Sequence, residues 1–309
     1  MAHMDVVFSD ETELPLRVEE GRIYCPGVGD DTACLVCILL AGKYIAEHVD
    51  SPRWREIRRE DAPGLLLVCN AGEEGLGNLK GVRKICEDYG DRMARFCTFD
   101  SSLSSIVVRA VGSKRFRVRV RTRGGHSYND FGSDNAIACL ASLVGELYGI
   151  RVPEGGKTTY NIGMISGGTS VNTIAQEAEM LYEFRSDRME NLEYMERQCM
   201  EVFDRAKSEG MDISLEVIGV RPCEGQVDPE QKQALTDWAH RVVEEITGQA
   251  PEHRAGSTDC NIPLSLGIPS VCVGSFRGSG AHTREEYVET DSLEEGYKVA
   301  FGMMFGSRD

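Results

Sequence analysis

The chain has 309 residues and 34.1 kDa, with 41% hydrophobic and 27% charged side chains, enough to bury the core of one large or two ordinary domains. This composition argues against disordered and fibrous architectures. Lys and Arg total 34 against 50 Asp and Glu, so the net charge of -16 provides no field for counterion release on a phosphate backbone, and we expect no nucleic-acid partner.

Membrane and disulfide architectures are also disfavoured. No apolar run approaches the roughly 20 residues of a membrane span, and the N-terminus lacks the layout of a signal peptide, so a cytoplasmic protein without a membrane partner is predicted. The 11 cysteines are scattered through apolar segments and are predicted to be reduced core residues. The one CxxC pair, Cys34 and Cys37, has no second pair to complete a zinc ribbon, which favours packing over a metal or redox role.

The first third of the chain alternates between helical and strand-like patterns. Apolar residues recur with helical spacing over Thr32 to Val49 and again over Leu79 to Tyr89. Between them, Gly64 to Asn70 is a continuous apolar run that predicts a strand buried on both faces. This order is typical of an α/β domain.

A second block opens at about Gly112 with a strict period of two. Phe116, Val118 and Val120 alternate with arginines, which predicts a half-exposed strand. The pattern then predicts a helix, two strands, a helix and a strand, near Asn135 to Tyr148, Thr158 to Ile165, Glu177 to Phe184, Leu192 to Lys207 and Ile213 to Ile218. The order βαββαβ is the ferredoxin-like, or split βαβ, unit.

The last block returns to α/β patterns. Helices are predicted near Gln231 to Thr247 and Leu293 to Phe305, with a short strand over Ser270 to Gly274 between them. We therefore predict an α/β domain formed by residues 1–111 and 222–309, into which a ferredoxin-like module, residues 112–221, is inserted.

Five arginines of the inserted module stand at alternate positions, which places them on one face of a strand, at 115, 117, 119, 121 and 123. Such a face can bind nucleic acid or can simply be solvated. The acidity of the whole chain favours the solvated face.

Histidines and acidic residues gather in four short clusters where predicted strands end and loops begin. The clusters are His3-Met4-Asp5, Gly27-Val28-Gly29-Asp30-Asp31, Glu73-Glu74-Gly75 and Gly280-Ala281-His282-Thr283. Each alone has an ordinary explanation, because adjacent acids are common in the first turn of a helix. Together they are hard to explain by packing, since the carboxyl edge of an open α/β sheet is where such folds bind ligands.

The sequence resembles the di-zinc exopeptidases and amidohydrolases that include peptidase T, carboxypeptidase G, aminoacylase and succinyl-diaminopimelate desuccinylase. The resemblance covers essentially the whole chain and looks nearest to peptidase T. Eight segments carry it in order: AHMDVVF (2–8), PGVGDDTA (26–33), NAGEEGLG (70–77), GGHSYNDFGSDNAI (124–137), GGTSVNTIA (167–175), EFR (183–185), STDCNIP (257–263) and GAHTREE (280–286). It implies an α/β catalytic domain with an inserted ferredoxin-like dimerisation, or lid, domain.

The resemblance also implies two divalent metal ions, with zinc as the first choice. His3 and Asp100 match ligands of the first ion, although relatives usually have glycine where Ser101 stands. Glu74 and His282 match ligands of the second ion. Asp30 matches the acid that bridges both ions, and this acid is often followed by a cis peptide bond.

Further positions match catalytic and substrate-binding residues. Glu73 matches the general base, and Asp5 matches the carboxylate that orients the ring of His3. His126 matches a histidine that reaches into the partner subunit of a homodimer and stabilises the oxyanion. Asn172 and Arg185 match residues that hold the substrate, and a guanidinium suits a substrate carboxylate.

The implied function is hydrolysis of an amide bond in short peptides or N-acyl amino acids by a metal-activated water, with Glu73 as the base. Relatives carry a helix and strands before the His-x-Asp motif, whereas two residues precede His3 here. We therefore expect a frayed terminus that leaves His3 mobile, the first zinc weakly held and the activity impaired. The alternative is a non-catalytic dimer that binds a peptide or amino acid without turnover.

Overall fold

The computed structural model describes residues 1–8, 13–51 and 64–306, which divide into two units. The first unit consists of residues 1–110 and 225–309, and the second of residues 111–224. Within the described ranges, the helices are all too short or too polar to cross a membrane.

The first unit is built on a mixed four-stranded sheet. Its strands, in spatial order, are Glu252–Gly256, Ser105–Ala110, Ser270–Val273 and Phe96–Phe99. The two outer pairs are parallel and the central pair is antiparallel. Ser270–Val273 is buried along its whole length because apolar helices cover the sheet, as the predicted strand at this position requires.

A short parallel pair, Ala2–His3 beside Cys69–Asn70, adjoins this sheet. Met1 links the pair to the strand Phe96–Phe99, because its amino group donates to Cys97 O and its carbonyl accepts from Phe99 N. The carboxyl ends of three parallel segments therefore lie side by side, which is the edge where open α/β folds bind ligands.

In the described part of the first unit, five α-helices accompany the sheets: Cys34–His48, Lys80–Tyr89, Pro229–Thr247, Asn261–Ser265 and Ser292–Phe305. The three long helices at positions 34, 229 and 292 follow the predicted amphipathic segments and bury Ile38, Trp238 and Val299 against the sheet. A second small sheet joins Arg17–Glu19, Arg22–Tyr24, Tyr287–Glu289 and Gly278–Ser279.

The predicted strand from Gly64 to Asn70 is wrong over most of its length. Only Cys69–Asn70 forms a strand, and residues 64–67 are exposed. Within the described residues, the neighbouring strand Ala2–His3 spans just two positions. A strand needs hydrogen-bonding partners along its length, so a short partner limits it however apolar its sequence is.

The second unit is the predicted βαββαβ module. Its strands are Gly112–Arg121, Thr158–Gly167, Glu177–Ser186 and Asp212–Arg221, and its helices are Ala136–Tyr148 and Met189–Ser208. The four strands form an antiparallel sheet in which the first lies between the fourth and the third. Both helices pack on one face, where Phe184, Leu143 and Phe203 are fully buried.

The other face of this sheet carries the alternating arginines, and acidic residues on neighbouring strands pair with them. Arg115, Arg119 and Arg121 each place Nε within 3.1 Å of the carboxylates of Glu183, Glu179 and Glu177. Arg117 pairs with Glu216 on the other side. The arginine face is thus a cross-strand ladder of opposite charges, which stabilises the sheet.

All 11 cysteines are free, as predicted. Cys34 and Cys37 are buried on the helix Cys34–His48, and their thiols lie near two different carbonyls, those of Ser101 and Ser275. Burial raises the pKa of both thiols, so they are poor nucleophiles and behave as packing residues.

Two methionines on the helix Met189–Ser208 test the core of the second unit. Met195 is 0% exposed, whereas Met189 is 40% exposed. We expect Met195→Ala to lower the free energy of unfolding by about 2–5 kcal/mol because it leaves a cavity. Met189→Ala should cost much less. Urea unfolding followed by circular dichroism measures both, and equal losses would contradict this description of the core.

Candidate metal centre

The predicted site residues of the first unit meet at the carboxyl ends of its parallel segments. His3 ends the first strand and Asp5 follows it. Glu73 and Glu74 follow Cys69–Asn70, and Asp100 follows Phe96–Phe99. Asp30 comes from the turn that precedes the helix Cys34–His48, and His282 from the loop after the strand Gly278–Ser279, where it adopts a positive φ of 65°. Residues from both ends of the chain thus converge.

His3 is held firmly, so the expected frayed terminus is wrong for this residue. Its side chain is 1% exposed, and its backbone N–H donates to Asp31 Oδ2 over 2.9 Å. Its Nδ1 lies 3.0 Å from the carbonyl oxygen of Asp5 and 3.6 Å from the Asp5 carboxylate. These contacts aim Nε2 at the acidic cluster.

Asp30 lies between the two histidines. Its Oδ1 is 3.0 Å from His3 Nε2, and its Oδ2 is 3.0 Å from His282 Nε2. One carboxylate therefore uses a different oxygen for each imidazole. The peptide bond between Asp30 and Asp31 is cis, as the resemblance implies.

Three groups of side chains bring their possible ligand atoms within 4.8 Å of one another. They are His3 with Asp30 and Asp100, His3 with Glu73 and Glu74, and Asp30 with Glu74 and His282. The first and third groups share Asp30. All residues predicted as metal ligands are members of these groups.

The Asp5 carboxylate has a further task that the sequence does not reveal. Its Oδ1 accepts from Gly72 N at 2.9 Å and Glu73 N at 3.4 Å, and its Oδ2 accepts from Glu74 N at 3.0 Å. Asp5 therefore holds the loop that carries both glutamates as well as lying beside His3. Any movement of Asp5 would therefore shift His3 and the glutamate loop together.

Glu286 does the same for the turn that carries Asp30, and no role was predicted for it. Its side chain is 2% exposed and accepts from Gly27 N, Gly29 N and Asp30 N at 2.6, 2.9 and 2.8 Å. A Cβ on Gly29 would lie 2.7 Å from the Phe276 ring, so the turn can approach this closely only with glycine. The motif GAHTREE contained the signal, since Glu286 ends it.

The cluster holds more acid than its two histidines can neutralise. Hydrogen bonding to Asp30 raises the pKa of His282 to about 9, against the opposing effect of burial. Burial lowers the pKa of His3, but its contacts with Asp30 and Asp100 outweigh burial and raise it to about 11. Both imidazoles are therefore cationic in the absence of metal.

The carboxylates show the same imbalance. Burial raises the pKa of Asp30, but hydrogen bonds from His282 and His3 hold it below its ordinary range. Burial and the charges of Asp30 and Glu73 raise the pKa of Glu74 to about 7. Burial also raises the pKa of Asp100, with the charges of Asp31 and Glu73 adding to it. Carboxylates gathered in this way need more positive charge beside them than the two imidazoles supply.

This donor set fits divalent cations. Among the described residues, the buried Oε1 of Glu74 makes no hydrogen bond, although His282 Nε2 lies 3.4 Å away. Imidazole and carboxylate ligands suit Zn²⁺ and several other first-row metals. A buried, unbonded carboxylate oxygen between acids and imidazoles is costly unless a cation binds it.

The remaining predicted site residues lie in the second unit. His126 and Asn172 are close together, because the strand Gly125–His126 pairs with Thr173–Ile174 and Ser127 N donates to Asn172 O. Both side chains are exposed. Arg185 lies on the arginine face, where its Nε pairs with Glu183 Oε1 over 2.9 Å.

Residues 1–305 match the model of peptidase family M20/M25/M40. Two curated relatives are similar along most of their length. The uncharacterized protein YqjE of Bacillus subtilis is 25% identical over 305 residues, covering 94% of this chain and 76% of YqjE. Acetylornithine deacetylase of Myxococcus xanthus is 26% identical over 307 residues, covering 95% of this chain and 75% of the deacetylase.

Solved structures share the fold. The aminopeptidase PepT from Bacillus cereus superposes with a TM-score of 0.69 and a tripeptidase from Staphylococcus aureus with 0.72, each at 22% identity over 98% of this chain and 78% of theirs. Human carnosine dipeptidase 1 superposes with a TM-score of 0.71 at 16% identity, over 99% of this chain and 78% of the dipeptidase. These likenesses confirm the predicted α/β architecture.

Two adjacent glutamates test the support of Asp30. Glu286→Gln removes one of the two oxygens that accept from the three backbone N–H groups, so we expect a loss in metal affinity of roughly 10–100-fold, as is usual when a residue supporting a ligand is changed. Glu285→Gln is the control, because the Glu285 side chain is 80% exposed. Calorimetric titration with Zn²⁺ measures both variants, and unchanged affinity in Glu286→Gln would contradict the supporting role.

Proposed function

The chain belongs to peptidase family M20/M25/M40, and on this premise we propose that it is a zinc-dependent hydrolase of amide bonds in short peptides or N-acyl amino acids. Membership makes it a metal-dependent hydrolase. The choice of zinc, the residue roles and the substrate class are our proposal. One observation carries it: two imidazoles share the carboxylate of Asp30, one at each oxygen.

The proposed ligands follow from the grouping of donor atoms. His3 and Asp100 would hold one ion, Glu74 and His282 the other, and Asp30 would bind both. Each ion would then have one imidazole, one carboxylate of its own and one shared carboxylate. Three protein ligands leave a position open, as in catalytic rather than structural zinc sites.

Glu73 is the proposed general base. It is 5% exposed, and its backbone is tied to the Asp5 carboxylate next to Glu74. The bound ions would supply polarisation of the amide carbonyl and acidification of a water, whose pKa falls to about 7 on such ions. Glu73 would take a proton from this water and pass it to the leaving amine.

His126 is the proposed donor to the oxyanion. Its Nδ1 accepts from Tyr128 N at 3.2 Å and from Asn129 N at 3.4 Å. A neutral ring that accepts at Nδ1 carries its proton on Nε2, and this N–H is the donor that an oxyanion needs. As in the family it resembles, we propose that His126 acts in the partner subunit of a homodimer.

The second unit offers a surface for this dimer. Thr158–Gly167 is an edge strand of the four-stranded sheet, and its Met164 and Ile165 are 65% and 58% exposed. An edge strand with exposed apolar side chains pairs readily with another chain. We propose that it pairs with the same strand of a second copy of the chain.

Asn172 and Arg185 are the proposed contacts to substrate. A guanidinium binds a carboxylate in a bidentate manner, which suits the free carboxylate of a peptide or amino acid. Arg185 already pairs with Glu183, so a substrate carboxylate would have to compete with this contact. Relatives named acetylornithine deacetylase and succinyl-diaminopimelate desuccinylase support acylated amino acids as one class to assay.

Glu73→Gln tests the base. We expect kcat to fall roughly 10²–10⁴-fold, the usual contribution of general acid–base catalysis, while bound metal stays unchanged. Glu87→Gln serves as control, because the side chain of Glu87 is 72% exposed on the helix Lys80–Tyr89. Kinetics on di- and tripeptides and N-acyl amino acids, with elemental analysis, provide both readouts. Full turnover by Glu73→Gln would reject the assigned base.

Metal removal tests the proposed function as a whole. A chelator should abolish hydrolysis, because the water would lose its activating ions, and added zinc, cobalt or manganese should restore it. Elemental analysis should find at least two ions per active chain. A chain that binds at most one ion, weakly, and turns over none of these substrates would instead favour the non-catalytic dimer that binds a peptide or amino acid.

A further inference from the structure

Two other histidines meet on the first unit, and neither belongs to the acidic cluster. His240 lies on the helix Pro229–Thr247 and His253 on the strand Glu252–Gly256. His240 Nδ1 is 2.9 Å from His253 Nε2, and the ring planes are inclined by 73°. We propose that this pair, the His240–His253 site, binds one divalent transition-metal ion.

The contacts of His240 place Nδ1, and not Nε2, at the proposed site. Its other ring nitrogen, Nε2, lies 3.6 Å from Glu244 Oε2, one helical turn away. The Glu244 carboxylate lies on the Nε2 side of the ring, so Nδ1 is the nitrogen that faces His253. Histidines that bind metals commonly face a carboxylate in this way with the nitrogen that does not bind. Glu244 is therefore a positioning residue.

The distance between the rings suits a shared ion. Two nitrogens bound at about 2.0–2.1 Å to one ion lie about 2.9 Å apart when the angle at the ion is a right angle. The observed separation is 2.9 Å. Binding requires the proton between the rings to leave and the ring of His253 to turn so that both lone pairs meet at one point. His253 is exposed, which leaves room for this turn.

The surroundings favour nickel, copper or zinc over calcium or magnesium. Imidazole is a ligand for the former ions, whereas the latter prefer oxygen. The His240 side chain is 30% exposed, so water can complete the coordination sphere. The acidic Glu244 and the net charge of -16 both attract cations.

Binding would clamp a helix to the strand that follows it. Residues 248–251 connect the two elements, and the rings meet only when strand and helix are docked. An ion that binds this folded arrangement and not the unfolded chain stabilises the fold by mass action. The site thus predicts a stabilising ion that is separate from catalysis.

Equilibrium dialysis against Ni²⁺ tests the proposal. We expect His240→Gln and His253→Gln each to bind one equivalent fewer than the unaltered chain. His48→Gln is the matched control. His48 is exposed and lies on a different helix, Cys34–His48, where its Nδ1 is 2.7 Å from Tyr44 O. This difference does not depend on how many ions the acidic cluster takes up.

A second measurement separates a bound ion from a simple hydrogen bond between the rings. Ni²⁺ should raise the Tm of the unaltered chain more than that of His253→Gln. Glu244→Gln should keep the extra equivalent but weaken its binding roughly 10–100-fold, the usual effect of changing a supporting carboxylate. Equal Ni²⁺ stoichiometry in the unaltered chain and both histidine variants would overturn the proposal.

Discussion

The sharing of Asp30 between two imidazoles is the interaction on which the first unit depends. Asp30, Glu73, Glu74 and Asp100 lie in one buried neighbourhood, where like charges repel and burial opposes ionisation. Two cationic histidines offset part of this cost, one from each end of the chain. The repulsion that remains among the carboxylates attracts cations. The same crowding of acids that destabilises the metal-free fold would therefore make this cluster a metal centre.

Two further carboxylates, those of Asp5 and Glu286, hold this cluster in place. Asp5 accepts from the backbone of the loop that carries Glu73 and Glu74, and Glu286 accepts from the turn that carries Asp30. Backbone N–H groups gathered around a carboxylate form strong, charge-assisted hydrogen bonds. The positions of the donor atoms therefore depend on these anchors as much as on the strands.

Sequence patterns predicted the second unit better than the first. A period of two over Phe116, Val118 and Val120 reports a sheet with one buried face, and the observed strand buries all three. The run Gly64–Asn70 misled, because an apolar stretch does not reveal whether partner strands lie beside it. The strands Phe96–Phe99 and Glu252–Gly256 escaped prediction for a related reason, since four or five residues carry little periodicity.

The sequence by itself determined which chemistry is available. Ordered motifs of histidines and acids, an acidic charge balance and an inserted βαββαβ pattern are local properties that can be read from the chain. Only the tertiary structure decided which atoms meet: both oxygens of Asp30 on opposite imidazoles, Glu286 beneath the turn of Asp30, and His240 beside His253. The reason is physical. Contacts between residues far apart in the sequence depend on how strands and helices dock, and no local sequence pattern encodes the docking.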